Sequence, residues 1–156
     1  MYLSITTCSS NGCVLRKSKL TYGEDYTIIN LASGRPGLRL LKRVTLFTNG
    51  DSLHFEKHHV WNGASIPRAF WWFIGKPTDP KFVVASLYHD RMYELRLDRD
   101  KADTVFRKLL DKSGVNGRRV ALMWAAVRVF GHTFYAATAD NNKVSTKLWR
   151  VVLKLM

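Results

Sequence analysis

The chain has 156 residues, 46% of them hydrophobic, and a formal net charge of +13 from 25 Lys and Arg against 12 Asp and Glu. That length and apolar content suffice for one domain with its own core, and two cysteines are too few for a disulfide framework. The positive excess points to partners that carry negative charge, with nucleic acid, an acidic protein and anionic membrane lipid as the three classes.

The excess is uneven: from Arg107 onward ten basic residues stand against only Asp111 and Asp140, so one face is expected to be cationic. Met1 to Val14 has neither a charged leader nor a continuous apolar run, and no signal peptide is expected there. No apolar stretch reaches the roughly 20 residues that span a bilayer, so no transmembrane segment is expected either. Cys8 and Cys13 flank Ser9-Ser10-Asn11-Gly12, a turn-like stretch that can bring them together, but free thiols are the expected state.

Residues 1–60 alternate β-branched or aromatic runs with turn residues. Runs at Tyr26 to Asn30, Arg43 to Thr48 and Leu53 to Val60 read as strands, and Asn49-Gly50 between two of them is a hairpin signal. Residues 61–79 form an irregular loop with Gly63, Pro67, Gly75 and Pro77, and helical periodicity follows over 80–131. Asp79-Pro80 predicts a helix start, running to about Leu95. Asp98 caps a second helix that stops at Ser113-Gly114. Asn116 or Gly117 opens a third, ending at Gly131 and apolar nearly all round, which predicts the central core helix. Residues 145–156 place Trp149, Val152, Leu153 and Met156 beside Lys147, Arg150 and Lys154, the pattern of a cationic amphipathic tail helix. The expected fold is a single α+β domain, a small N-terminal antiparallel sheet packed on three to four helices.

Chemistry concentrates on the first two helices. In an antiparallel hairpin, positions equidistant from the connection face each other, and His89 and Asp103 lie about equally far from Leu97. A carboxylate on one imidazole nitrogen fixes the tautomer and leaves the other nitrogen to take a proton from water. Tyr93 lies one turn after His89 on the same face, whereas Asp90 is rotated away and suits a hard cation. Arg99 reads as a salt-bridging helix residue. A structural hydrogen bond pinning two helices would demand the same His and Asp, so catalysis and architecture stay open as alternatives.

His89-Asp90-x-x-Tyr93 followed by Ala102-Asp103-x-x-Phe106 resembles the catalytic helices of the phospholipases A2. The resemblance implies His89 as general base, Asp90 as calcium ligand, Asp103 as the group holding His89, and Tyr93 as support for the carboxylates. Asn62 and Gly63, in the preceding loop, are the further candidates for carbonyl or side-chain oxygens toward Ca²⁺. A wider pattern of Trp61-Asn62-Gly63-Ala64-Ser65-Ile66-Pro67-Arg68, the His-Asp helix, Arg99-x-x-Ala102-Asp103-x-x-Phe106 and Ala126-Val127-Arg128-x-x-Gly131 resembles an uncharacterised phage and prophage family. That resemblance implies a phage origin; with no signal peptide expected, synthesis is expected in the host cytoplasm, with a place in the virion or at the membrane surface.

Ser65 lacks the glycine framing of a nucleophile elbow and reads as a turn hydroxyl. His58 and His59, read as strand residues, faintly resemble the histidines of metal-dependent HD phosphohydrolases, though only one of two adjacent strand residues can face such a site. Arg68, Phe70, Trp71, Trp72, Phe73 and Lys76 form an aromatic and cationic cluster suited to a membrane interface or a partner surface, unless the aromatics mainly cover the sheet. Two functions therefore stand side by side. One is a phospholipase A2-like lipid hydrolase at an anionic membrane; the other is a non-enzymatic virion or tail-associated or host-interaction protein whose basic face binds nucleic acid or an acidic partner.

Overall fold

In the computed structural model, residues 3–16, 19–48, 51–64, 66 and 71–137 are described. Seven strands precede three helices, which is the expected α+β order. The strands are β1 (Leu3–Ser9), β2 (Gly12–Arg16), β3 (Tyr26–Asn30), β4 (Pro36–Leu40), β5 (Arg43–Thr48), β6 (Asp51–Phe55) and β7 (Val60–Trp61). They form two antiparallel sheets rather than one, ordered β2-β1-β5-β6 and β3-β4-β7. Strand structure also begins earlier than the turn signals implied, at Leu3.

Period-two burial fixes which face of each sheet is inward. In β5, Val44, Leu46 and Thr48 are buried while Arg43 and Phe47 are exposed. Ile5, Leu53 and Phe55 join them from the same sheet, and Tyr26, Leu38, Leu40 and Trp61 come from the other. Thr48 and Asp51 are register partners, so the β5–β6 connection is two residues long. Asn49 and Gly50, which make that connection, lie outside the described residues.

The first hairpin corrects the cysteine expectation: Cys8 and Cys13 form a disulfide. Ser9 pairs with Gly12 around the two-residue turn Ser10-Asn11, which makes the cysteines directly opposed partners with Cα atoms 4.1 Å apart. Local register brings the sulfurs together here, without any need for a small, core-poor scaffold.

The helices are α1 (Val83–Glu94), α2 (Arg99–Lys112) and α3 (Gly117–Ala137). Helix α1 starts later than Asp79-Pro80 suggests. The Asp79 carboxylate accepts from the Lys81 N–H at 2.9 Å and its carbonyl from Phe82 at 2.8 Å, so this residue closes a turn before the helix instead of capping it. Asp98 does cap α2, accepting from the Lys101 N–H at 3.0 Å, and Gly114 with φ +72 ends it.

The central helix is α1, not α3. Every residue from Val83 to His89 is buried, because α1 packs on α2 while its other sides meet sheet residues such as Trp61 and Phe55. In α3, Val120 and Met123 are buried, but Leu122 and Val129 are 43% and 58% exposed. A helix apolar all round looks the same in sequence whether or not its far side is covered. The helix also passes through Gly131 to Ala137, so this glycine does not terminate it. The tail reading for 145–156 falls outside the described residues.

Candidate active site

Helix α1 is held against β7 by Trp61, whose indole N–H donates to the Ser86 hydroxyl at 3.1 Å, one turn before His89 and Asp90. At its other end the Leu97 N–H bonds back to the Met92 carbonyl at 3.0 Å, with Arg96 in the left-handed region at φ 53. This reversal sends α2 back along α1 and brings the two predicted partners together.

His89 Nε2 lies 2.8 Å from Asp103 Oδ1, and the Tyr93 hydroxyl donates to the same oxygen at 2.7 Å. The imidazole is 7% exposed, packed between the rings of Tyr93 and Phe106 at centroid distances of 4.2 and 4.9 Å. Asp103 is completely buried. Its second oxygen faces Arg99 Nε at 3.6 Å and Arg128 Nη1 at 3.4 Å. Arg128 also pairs with Asp100, and Arg99 donates to the Val127 carbonyl at 3.1 Å. One carboxylate thus ties all three helices together.

The electrostatics follow from those partners. Burial opposes ionisation of Asp103, but hydrogen bonds from His89 and Tyr93, with the positive charges nearby, outweigh it and hold the carboxyl below its usual range. Burial likewise disfavours a charged His89, yet hydrogen bonding to Asp103 and the neighbouring Asp90 carboxylate prevail and raise its pKa. Burial and the adjacent carboxylate raise the Tyr93 phenol, so it stays a donor. An ionised Asp103 that accepts from Nε2 fixes the neutral imidazole with its proton on Nε2 and its lone pair on Nδ1.

Nδ1 lies 4.0 Å from Asp90 Oδ1, too far for a hydrogen bond. The Asp90 side chain is 28% exposed and makes no ion pair with an arginine or lysine among the described residues. Burial raises its carboxyl above the ordinary value, an effect that His89 partly offsets. A partly enclosed carboxylate that no Arg or Lys among the described residues neutralises can supply one oxygen ligand to a hard cation, the further oxygens coming from backbone, water or substrate. Asn62 is exposed and no hydrogen bond joins it to Asp90 among the described residues. Gly63 is buried with φ +70, pressed against the Pro77 carbonyl where a Cβ would collide, and Pro77 also accepts from the Ala64 N–H at 3.0 Å. The structure therefore joins His89, Asp103 and Tyr93 and sets Asp90 beside them, while Asn62 and Gly63 make no hydrogen bond to any of the four among the described residues. Among the described residues, no three His, Cys, Asp or Glu side chains gather as a metal-holding group.

His58 and His59 are not on a strand. They lie in the connection between β6 and β7, His58 with φ 71, and the His59 ring stacks on Trp61 at 6.2 Å. Among the described residues neither shares a hydrogen bond or ion pair with His89 or Asp90, although His59 and Asp90 are close enough to feel each other's charge. In the aromatic cluster, Trp71 is half-buried and donates its indole N–H to the Ile66 carbonyl at 2.9 Å. Trp72 is 85% exposed and Phe73 40%, with ring centroids 5.6 Å apart, and Lys76 is exposed near them in sequence. Ser65, Arg68 and Phe70 lie outside the described residues.

Two supports of the site were hidden from single-residue reading. Arg128 and Gly131, one turn apart on α3, both face the dyad: Arg128 reaches Asp103, and a Cβ on Gly131 would lie 2.5 Å from the Tyr93 hydroxyl. Their signal was the Arg-x-x-Gly spacing at helical periodicity. Gly131→Ala would ordinarily strengthen a helix by about 1 kcal/mol. Here it is expected to destabilise the protein by about 1–3 kcal/mol through overpacking, read as a lower Tm, because α3 must retreat or Tyr93 must leave Asp103.

A family pattern matches residues 41–127, which take in β5, β6, the loop, α1, α2 and Arg99 and Asp103. The chain belongs to the DUF1353 family. That family is described as proteins of unknown function. "Uncharacterized protein y4jT" of Sinorhizobium fredii (strain NBRC 101917 / NGR234) is 33% identical over 88 residues, covering 55% of this chain and 26% of that protein. The chain thus spans about a quarter of that relative's length. No solved structure matches this DUF1353 member.

Proposed function

We propose that this DUF1353 member is a phage-encoded, phospholipase A2-like ester hydrolase that works at an anionic membrane surface. One observation carries the reading: His89 Nε2 and the Tyr93 hydroxyl converge on one oxygen of the buried Asp103, while Nδ1 is left beside Asp90. That is the division of labour that the resemblance implies for the same four residues.

Asp103 holds the imidazole in the tautomer whose Nδ1 can accept a proton. Nδ1 takes that proton from a water as its oxygen attacks the ester carbonyl, and the resulting imidazolium is stabilised by Asp103. The same proton then passes from Nδ1 to the departing alkoxide as the tetrahedral intermediate collapses. A calcium ion held by Asp90 would polarise the ester carbonyl and stabilise its developing oxyanion. The exposed Trp72 and Phe73, with Lys76, supply an apolar and cationic contact for the bilayer, and the net charge of +13 favours anionic lipid.

The wild-type chain is expected to release fatty acid from phosphatidylglycerol vesicles in the presence of calcium. Release should stop when calcium is chelated, and Trp72→Ala should weaken vesicle binding without lowering Tm. Mass spectrometry of the lipid products checks the chemistry; intact lipid after incubation with calcium and anionic vesicles would refute it.

A second reading draws on the burial of His89 and on the three helices that meet at Asp103. The network is then a structural pin, and the protein is a non-enzymatic virion, tail-associated or host-interaction component whose basic face binds nucleic acid or an acidic protein. Salt-sensitive DNA or RNA binding that His89→Gln leaves unchanged distinguishes it.

A further inference from the structure

The first hairpin ends the larger sheet in an open edge. Strand β2 pairs with β1 alone, so among the described residues its outer side has no neighbour. Gly12, Cys13, Val14 and Leu15 are all exposed, Val14 at 54% and Leu15 at 67%. Val14 is the register partner of Thr7, and directly opposed residues share a face. It therefore stands on the face that carries the buried Ile5 and Thr7, yet lies beyond the core. Cys13 and Leu15 stand on the other face. Both faces of β2 are thus uncovered, and the residues they show are apolar.

The register also tells which main-chain groups point outward. Around the two-residue turn, Ser9 and Gly12 make a hydrogen-bonded pair, and bonded and non-bonded pairs then alternate along the strands. Cys8 and Cys13 are a non-bonded pair, in keeping with their Cα separation of 4.1 Å. Residues of such pairs turn their N–H and C=O away from the neighbouring strand, so Cys13 and Leu15 present theirs at the open edge. Sheets guard edges of this kind with lysine, proline or a bulge, and residues 12–15 contain none of these.

Charge selects the occupant. Residues 3–15 include no charged side chain, in a chain whose net charge of +13 otherwise opposes contact between copies. Two copies can meet here without bringing fixed charges together. An antiparallel pairing about a two-fold axis at Val14 sets Cys13 opposite the partner's Leu15, and both such pairs exchange main-chain hydrogen bonds. Val14 then meets its own counterpart in the non-bonded position, where side chains approach most closely. Leu15 lies beside the partner's disulfide, covering the exposed face. Arg16, which ends β2, falls opposite the partner's Gly12, so the cations that follow the strand stay apart. We infer that β2 is a homodimer edge, through which two copies join their four-stranded sheets into one continuous sheet. The hairpin lies outside residues 41–127, and the inference does not depend on chemistry at His89.

A contact one strand long is smaller than a standard interface, so association is expected to be reversible, with dimer forming at about 0.1–1 mM protein. Sedimentation of the full chain under non-reducing conditions should show monomer giving way to dimer over that range, and amide hydrogen exchange at Cys13 and Leu15 should slow in step. Leu15→Pro removes a donor from the open edge and none from the β1 ladder, whereas Val14→Lys puts a charge at the two-fold axis. Each is expected to weaken association by about tenfold or more, with the Tm in dilute solution close to that of the wild type. The inference is overturned by a chain that stays monomeric throughout, by a dimer in which Cys13 and Leu15 exchange as they do in the monomer, or by a dimer that both variants form as tightly as the wild type.

Discussion

His89→Gln is expected to lower calcium-dependent fatty-acid release by about 10²–10⁴-fold, the usual worth of a positioned general base, while the protein stays folded. Glutamine is chosen because its amide can still donate to Asp103 and fill much of the space between Tyr93 and Phe106, whereas alanine would leave a cavity and an unmet carboxylate. What glutamine lacks is a nitrogen lone pair at the Nδ1 position. Activity should fall with little change in vesicle binding, so the loss belongs to turnover. Circular dichroism and Tm establish that the fold survives, and lipid mass spectrometry measures the rate. Undiminished release by the folded variant would remove His89 from the chemistry.

Asp103→Asn should produce the largest loss of stability of any single isosteric change at the site. The carboxylate accepts from His89 and Tyr93 on one oxygen and faces Arg99 and Arg128 on the other. An amide carries no charge, and its NH₂ would point at a guanidinium or at another donor. The arginines are partly exposed and regain solvent, so the cost falls mainly on the buried His89 and Tyr93 contacts and comes to about 3 kcal/mol. Chemical denaturation with an unchanged m-value measures it.

The pH dependence has a definite sign. Asp103 is held below its ordinary value of 3.8, so its contribution is present above that pH and is lost as pH falls through the folded-state pKa. His89 is raised above 6.5, so its contribution is present below that pH and is lost as pH rises through its folded-state pKa. In Asp103→Asn the acid-side loss should shrink, and the loss above neutral pH should shrink with it, since the same pair creates both.

The hairpin of α1 and α2, and the meeting of His89 with Asp103, were legible because local signals fix them. Asp98 caps α2, Gly114 ends it, and the short connection through Leu97 sets which residues face each other. Strands β3, β5 and β6 were legible for a similar reason, since alternation and turn residues act over a few positions, whereas β4 was not among the expected runs, Pro36 and Gly37 at its start having the composition of a turn. What escaped depended on tertiary context. Asp79 carries the features of a cap but spends its carboxylate on a turn. The disulfide follows from cross-strand register, which composition does not reveal. The exposed side of α3 and the burial of α1 depend on what each helix lies against. Arg128 and Gly131 matter only because α3 crosses near Tyr93 and Asp103, a juxtaposition that no window of sequence contains.

In the proposed mechanism Asp103 fixes His89 in one tautomer so that Nδ1 can serve as a base beside a cation held by Asp90. The ¹⁵N chemical shifts of the His89 ring, followed through a pH titration with and without calcium, test it most directly. The expected result is an Nε2 that stays protonated throughout, an Nδ1 that titrates above 6.5 in the absence of calcium, and a downward shift of that titration when calcium joins Asp90 and disfavours the imidazolium. A neutral imidazole carrying its proton on Nδ1, or a titration that calcium does not move, would contradict it.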